Sequence, residues 1–204
     1  MTNAAHLDPP VAANAVTAPT IDDHVRCSWA TSTPDYVRYH DEEWGVRLHG
    51  DDALFERMTL EAFQSGLSWI TILRKRPAFR LAFADFDIAA VAQFDESDAL
   101  RLMADAGIVR NRLKIDAAMS NARVALELDG GLDELLWSFA PAQRRRQDAQ
   151  VPAVTTESTA MAKDLKKRGF RFVGPTTAYA LMQATGMVFD HQPHCWRWQE
   201  FRPA

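Results

Sequence analysis

From Leu54 to Leu181 the apolar residues of this chain return every three or four positions, the period of an amphipathic helix. Alternation over five or more residues, which a half-buried strand needs, is hard to find. The pattern points to an all-α fold. Leu54, Phe55, Met58, Leu60 and Phe63 suit a helix opened by Asp51 or Asp52 as N-cap. Trp69–Leu73 continues as a second helix, and Pro77 is placed to start a third. Further helices are expected at Ile88–Phe94 behind Asp87, and at Ser97–Asp105 before Gly107. The longest covers Asn111–Leu128, with Leu113, Ala117, Ala118 and Ala122 as its inner stripe. Leu132–Phe139 ends before Pro141, and Ala142–Thr156 reads as a polar surface loop. Glu157–Arg168 and Pro175–Thr185 complete the set.

At 204 residues, 47% hydrophobic and 25% charged, the chain can bury a substantial core, which excludes a wholly disordered, collagen-like or disulfide-stapled protein. Residues 1–23, rich in Ala, Pro, Thr and Asn, lack any apolar period and are expected to be a flexible tail before one domain at 24–204. No run approaches the ~18 apolar residues of a membrane span. Cys27 and Cys195 allow at most one disulfide, which suggests the reducing cytoplasm. The net charge of −4 divides unevenly: −3 over residues 1–23, −6 over 24–140 and +5 over 141–204. A basic surface on an acidic chain is therefore available to a polyanion, though such asymmetry also arises by chance.

Three groups of residues have chemical potential. In the first, Lys163–Arg168 precede Gly169–Gly174 (GFRFVG) and then Pro175–Gly186 (PTTAYALMQATG). Glycines at both ends of a short hairpin, free amides opening the next helix and nearby lysines make a phosphate site. An ordinary helical hairpin with solvated lysines would look the same. In the second, Cys27 and His40 near one end and His191 and Cys195 near the other have the donor set of a closed tetrahedral zinc site. His24, His49 and His194 compete as ligands, and two free thiols with unrelated histidines are the plainer reading. In the third, Trp29, Tyr36, Tyr39 and Trp44 lie close in sequence, and Glu61 precedes Gln64–Trp69 (QSGLSW). Aromatic faces stack on an extruded base, and a partly buried carboxylate reads a cationic one. Taken singly, each of these residues is more often core or surface.

Together the segments RCSWA (Arg26–Ala30), YVRYHDEEWGV (Tyr36–Val46), LEAFQSGLSWITIL (Leu60–Leu73), ADAGIVRNRLKI (Ala104–Ile115), LKKRGFRFVGPTTAYALMQATGMV (Leu165–Val188) and DHQPHC (Asp190–Cys195) resemble the 3-methyladenine DNA glycosylase I family of the helix-hairpin-helix glycosylase superfamily. The resemblance spans about Val25 to Arg197. It implies a helix-hairpin-helix at about 157–186 and one structural zinc on Cys27, His40, His191 and Cys195. It implies that Glu61 hydrogen-bonds methylated adenine, that Trp69 stacks on it, and that Trp29, Tyr36 and Tyr39 wall the pocket. Gly169, Gly174 and Thr176, with Lys167, would hold DNA phosphates. The family's usual Asn before the Asp-His pair is Phe189 here. The implied activity is monofunctional excision of 3-methyladenine from double-stranded DNA, by a cytoplasmic monomer needing no membrane and no protein partner. Two rivals remain: a non-enzymatic DNA-binding module, and a zinc hydrolase with Glu42 or Glu43 as general base.

Overall fold

Residues 23–142 and 150–200 are described in a computed structural model of the chain. Residues 1–22 of the expected tail and 143–149 of the expected loop lie outside them. The described residues form ten α-helices: α1 (Pro34–Glu42), α2 (Asp51–Gln64), α3 (Trp69–Ala82), α4 (Ile88–Ala92), α5 (Glu96–Ala104), α6 (Arg112–Leu126), α7 (Gly131–Trp137), α8 (Thr156–Lys167), α9 (Pro175–Ala184) and α10 (Trp196–Glu200). Single 3-10 turns cover Ser28–Thr31 and Ala84–Phe86. There is no β-strand element among these residues, and no helix long and apolar enough to cross a membrane.

Helix α2 is the hub. It is buried along most of its length and packs on α3, α6, α7 and α9, while α4 lies on α6 and α8 on α9. Its N-cap is Gly50, not an aspartate. Asp51 and Asp52 instead lie in its first turn, where each accepts a backbone amide from another element: Asp133 N–H to Asp51 at 2.8 Å and Ile88 N–H to Asp52 at 2.9 Å. Pro77 does not begin a helix either; α3 runs through it. The proline leaves one intrahelical bond unmade, and burial of Ile72, Leu73, Phe79 and Ala82 along the same helix outweighs that loss.

The inner face of α6 is shifted from the expected stripe. Leu113 is 62% exposed, and Lys114 and Ile115 are buried beside Ala117, Ala118 and Ala122. The Lys114 ammonium is satisfied there because it caps the end of α2, donating to Phe63 O at 2.9 Å and Ser65 O at 2.7 Å. Helices α4, α5 and α8 are capped by Asp87, Asp95 and Thr155, the last two through capping boxes. Before α4, Ala84, Asp85 and Phe86 all take left-handed φ values of 51–59°. That strained turn seats Phe86 in the core, stacked 5.5 Å from Phe83.

Candidate functional site

Four donors from opposite ends of the sequence meet where α1 faces the segment between α9 and α10. Cys27 Sγ, His40 Nε2, His191 Nδ1 and Cys195 Sγ all lie within 4.8 Å of one another, and all four residues are buried. Sulfur–nitrogen separations are 3.4, 3.6 and 3.7 Å, and the two ring nitrogens are 3.1 Å apart. A tetrahedral zinc with ordinary bond lengths has edges of about 3.5 Å (S–N) and about 3.3 Å (N–N). The thiols are free, so no disulfide competes.

The surrounding contacts fix the ligand faces. His40 Nδ1 meets Asp41 Oδ1 at 2.7 Å, His191 Nε2 meets Trp44 O at 3.1 Å, and the Gln192 amide donates to Cys27 Sγ at 3.3 Å. The residues thus fit a metal ion well. The competing histidines stay outside: His24 stacks on Trp196, His49 is bonded to Asp133, and His194 is exposed. Glu43, a candidate general base, is clamped by Arg76 and Arg57, and four protein donors leave a tetrahedral ion no position for water.

Beside this cluster opens a cavity of 480 Å³ into which the predicted base-binding residues converge. Trp29, Tyr36, Tyr39, Glu61 and Trp69 all line it, with Trp44 completing the aromatic set. Trp29 meets Trp44 and Tyr36 edge-on at 5.1 and 5.7 Å, and Tyr39 lies 5.4 Å from Trp69. The Tyr36 hydroxyl accepts the Ile70 amide at 3.0 Å, tying the wall to the start of α3. Glu61 projects from α2 and is 5% exposed. Among the described residues no hydrogen bond reaches its carboxyl group. Burial pushes its pKa up to about 7, against the opposing charge of Arg57.

Sequence reasoning passed over the glutamines of this wall. Gln64, Gln183 and Gln192 line the cavity with Asp190, which accepts from Tyr179 Oη at 2.5 Å and Gln183 Nε2 at 2.9 Å. Gln64 falls one helical turn after Glu61, a spacing that could have flagged it; Gln183 and Gln192 had no such signal.

Of the predicted backbone-binding residues, Gly169 and Gly174 line a groove at the hairpin between α8 and α9, and Thr176 does not. Helix α8 ends with Phe170 N–H to Leu165 O at 3.0 Å and Gly169 N–H to Lys166 O at 3.1 Å, a pairing that needs Gly169 at its φ of 102°. Gly174 opens α9 with Pro175 behind it, so the amides of Thr176 and Thr177 have no carbonyl partner in the helix. Between the glycines, Arg171 is held at both backbone groups by Asn121 of α6, at 2.8 and 3.1 Å. Lys163, Lys166, Arg171 and the exposed Phe172 line a 700 Å³ groove along this hairpin. Lys167 is exposed on α8 but is not among the groove's lining residues.

A family profile described as Methyladenine glycosylase matches residues 29–198. A protein named DNA-3-methyladenine glycosylase 1 from Escherichia coli (strain K12) is 45% identical over 177 residues, 83% of this chain and 95% of that one. DNA-3-methyladenine glycosylase from Haemophilus influenzae is 40% identical, over 83% and 96%. The fold is similar to a crystal structure of 3-methyladenine DNA glycosylase I, with a TM-score of 0.81, 44% identity, and coverage of 84% and 98%. It is also similar to a variant of 3-methyladenine DNA glycosylase I in complex with 3-methyladenine, with a TM-score of 0.77, 35% identity, and coverage of 84% and 96%. Profile, relatives and fold agree, the profile over a span that holds the cavity, the hairpin and three of the four cluster donors, and the chain belongs to the methyladenine glycosylase family.

Proposed function

We propose that the chain is a monofunctional DNA glycosylase of base-excision repair, hydrolysing the N-glycosidic bond of 3-methyladenine in double-stranded DNA and leaving an abasic site. The observation that carries this reading is Glu61: a buried carboxyl group without a hydrogen-bond partner among the described residues, set in an aromatic cavity. A neutral ligand gains little from such a group. A cationic purine supplies both the charge and the donors it lacks, and its arrival favours the ionised carboxylate.

Methylation at N3 makes adenine a cation, so the glycosidic electron pair returns to the ring and the base departs neutral. Water adds at the anomeric carbon and releases a proton. The protein's task is to hold the extruded base and exclude its unmodified competitors. Trp69 and the ring wall of Trp29, Tyr36 and Tyr39 supply stacking, worth roughly 1–3 kcal/mol per base in comparable single-strand sites. Glu61 supplies charge recognition. Backbone amides of Thr176 and Thr177, with the lysines and Arg171 of the hairpin groove, hold phosphates without reading sequence.

Cys27, His40, His191 and Cys195 would hold a structural zinc that joins the two ends of the domain. Bound there, the ion supplies folding free energy rather than a reacting group. The enzyme works as a cytoplasmic monomer. The decisive experiment incubates the protein with methylated duplex DNA and identifies the released bases. Free 3-methyladenine, with intact strands until the abasic sites are cleaved, is expected; no released base refutes the assignment.

A further inference from the structure

Arg57 lies one helical turn before Glu61 on α2 and is only 8% exposed. A cation buried so deeply needs partners, and simple packing would be served better by an apolar side chain. Its guanidinium donates to Tyr39 Oη at 3.3 Å and to Glu43 Oε2 at 3.2 Å, and it lies 5.5 Å from the centre of the Tyr39 ring. Glu43 is already engaged through both oxygens by Arg76, at 2.5 and 2.7 Å. Four charges therefore alternate from α3 to the cavity: Arg76, Glu43, Arg57, Glu61. Arg57 thus stands between two carboxylates, bonded to Glu43 and one helical turn from Glu61 along the same face of α2.

Other groups bear on the carboxylate. Tyr39 and Glu43 approach from α1 and its end, Arg76 from α3, and Asp190 shares the cavity, held by Tyr179 and Gln183 of α9. Arg57, by contrast, is the cation on Glu61's own helix face, and it also holds the Tyr39 phenol of the cavity wall.

We infer that Arg57 is a positioning residue for base recognition, fixing the Tyr39 wall and favouring the charged form of Glu61. The inference rests on Glu61 being the carboxylate that reads the cationic base. Arg57 itself does not touch the base; it sets the pH range in which the pocket distinguishes a cation from a neutral purine.

The test compares single-turnover excision of 3-methyladenine from pH 5 to 9 by the wild type, Arg57→Met, Arg57→Lys and Glu61→Gln. An opposite charge near a carboxylate typically lowers its pKa by about one unit or more, so its loss should move the acid limb of Arg57→Met to higher pH by about that much. Near pH 6 this is roughly a tenfold loss, with a smaller loss at pH 9. Arg57→Lys restores the limb, and Glu61→Gln has none. If Arg57→Met is defective in folding, Arg57→Gln makes the same comparison. An acid limb in the Arg57 variants that coincides with the wild type, while Glu61→Gln loses excision, overturns the role of Arg57 alone. Wild-type excision by Glu61→Gln overturns the reading of Glu61 and this inference with it.

Discussion

Replacing Glu61 by Gln should trade activity for stability, with a pH signature. The carboxyl pKa stands at about 7 in the folded chain, against an ordinary 4.5. Between those values the folded chain retains a proton that the unfolded chain has released, so this residue lowers stability progressively as pH rises. Integrated over the shift, the penalty is about 3 kcal/mol at pH 8 and under about 1 kcal/mol at pH 5. Gln carries no ionisation penalty at either pH, and any desolvation cost of its amide is the same at both. The variant's gain at pH 8 over pH 5 should therefore be about 2–3 kcal/mol, equivalent to roughly 5–10 °C in the thermal midpoint for a domain of this size. Thermal melts of both proteins at the two pH values measure the difference directly. Base release from methylated duplex measures the other half: excision should fall substantially, while duplex affinity and metal content persist. Melting differences that do not change with pH would refute the buried, ionisable carboxylate. Undiminished excision would remove Glu61 from the mechanism and turn attention to Asp190.

Protein purified without chelators should contain one zinc per chain, and Cys195→Ser or chelation should lower stability by more than about 3 kcal/mol; metal analysis near zero contradicts this. Duplex binding should weaken steeply with salt, and Lys166→Glu or Lys167→Glu should reduce the salt slope by about one for each phosphate no longer neutralised, for damaged and undamaged DNA alike. A weakening confined to damaged duplex would place the lysine at the base pocket instead. Gly186 has φ +70°, and a Cβ there would stand 2.6 Å from the Val46 carbonyl carbon and oxygen. Gly186→Ala should therefore destabilise the chain by at least about 2 kcal/mol, and a denaturant midpoint like that of the wild type would show that this close approach yields easily.

What was legible in the sequence was whatever depends on neighbours along the chain. Helical period, the Asp87 cap and the Gly169 turn are local, and the structure agrees with them. Pro77 misled because its local preference is weaker than the shared burial of Ile72 and Phe79. Asp51 and Asp52 misled because carboxylates suited to capping their own helix were recruited by the amides of Asp133 and Ile88. Lys114 reads as a solvated residue until the carbonyls of Phe63 and Ser65 are known to lie beside it. The same holds for the Asn121 clamp on Arg171, fifty positions away. The aromatic residues and the cysteine–histidine set were recognisable because several ordered segments matched a family at once. Arg57 belonged to a matched helix but to no functional pattern, and only its buried partners reveal it.

Helix α1 ties the cysteine–histidine cluster to the aromatic cavity. Tyr36, Tyr39, His40 and Glu43 follow the spacing i, i+3, i+4, i+7, which places them along one stripe of a helix and its C-cap. That stripe supplies two rings of the cavity wall, one of the four donors and the carboxylate between Arg76 and Arg57. At nine residues, α1 is too short to hold its own position by helical propensity. Its register is fixed by what it touches: the donors from the far end of the chain at His40, the α3 amide at Tyr36, and the two arginines at Glu43. A metal at the cluster would therefore act on recognition without approaching the base. By anchoring His40 to His191 and Cys195, it would hold the adjacent Tyr39 against Trp69 and keep the phenol within reach of Arg57.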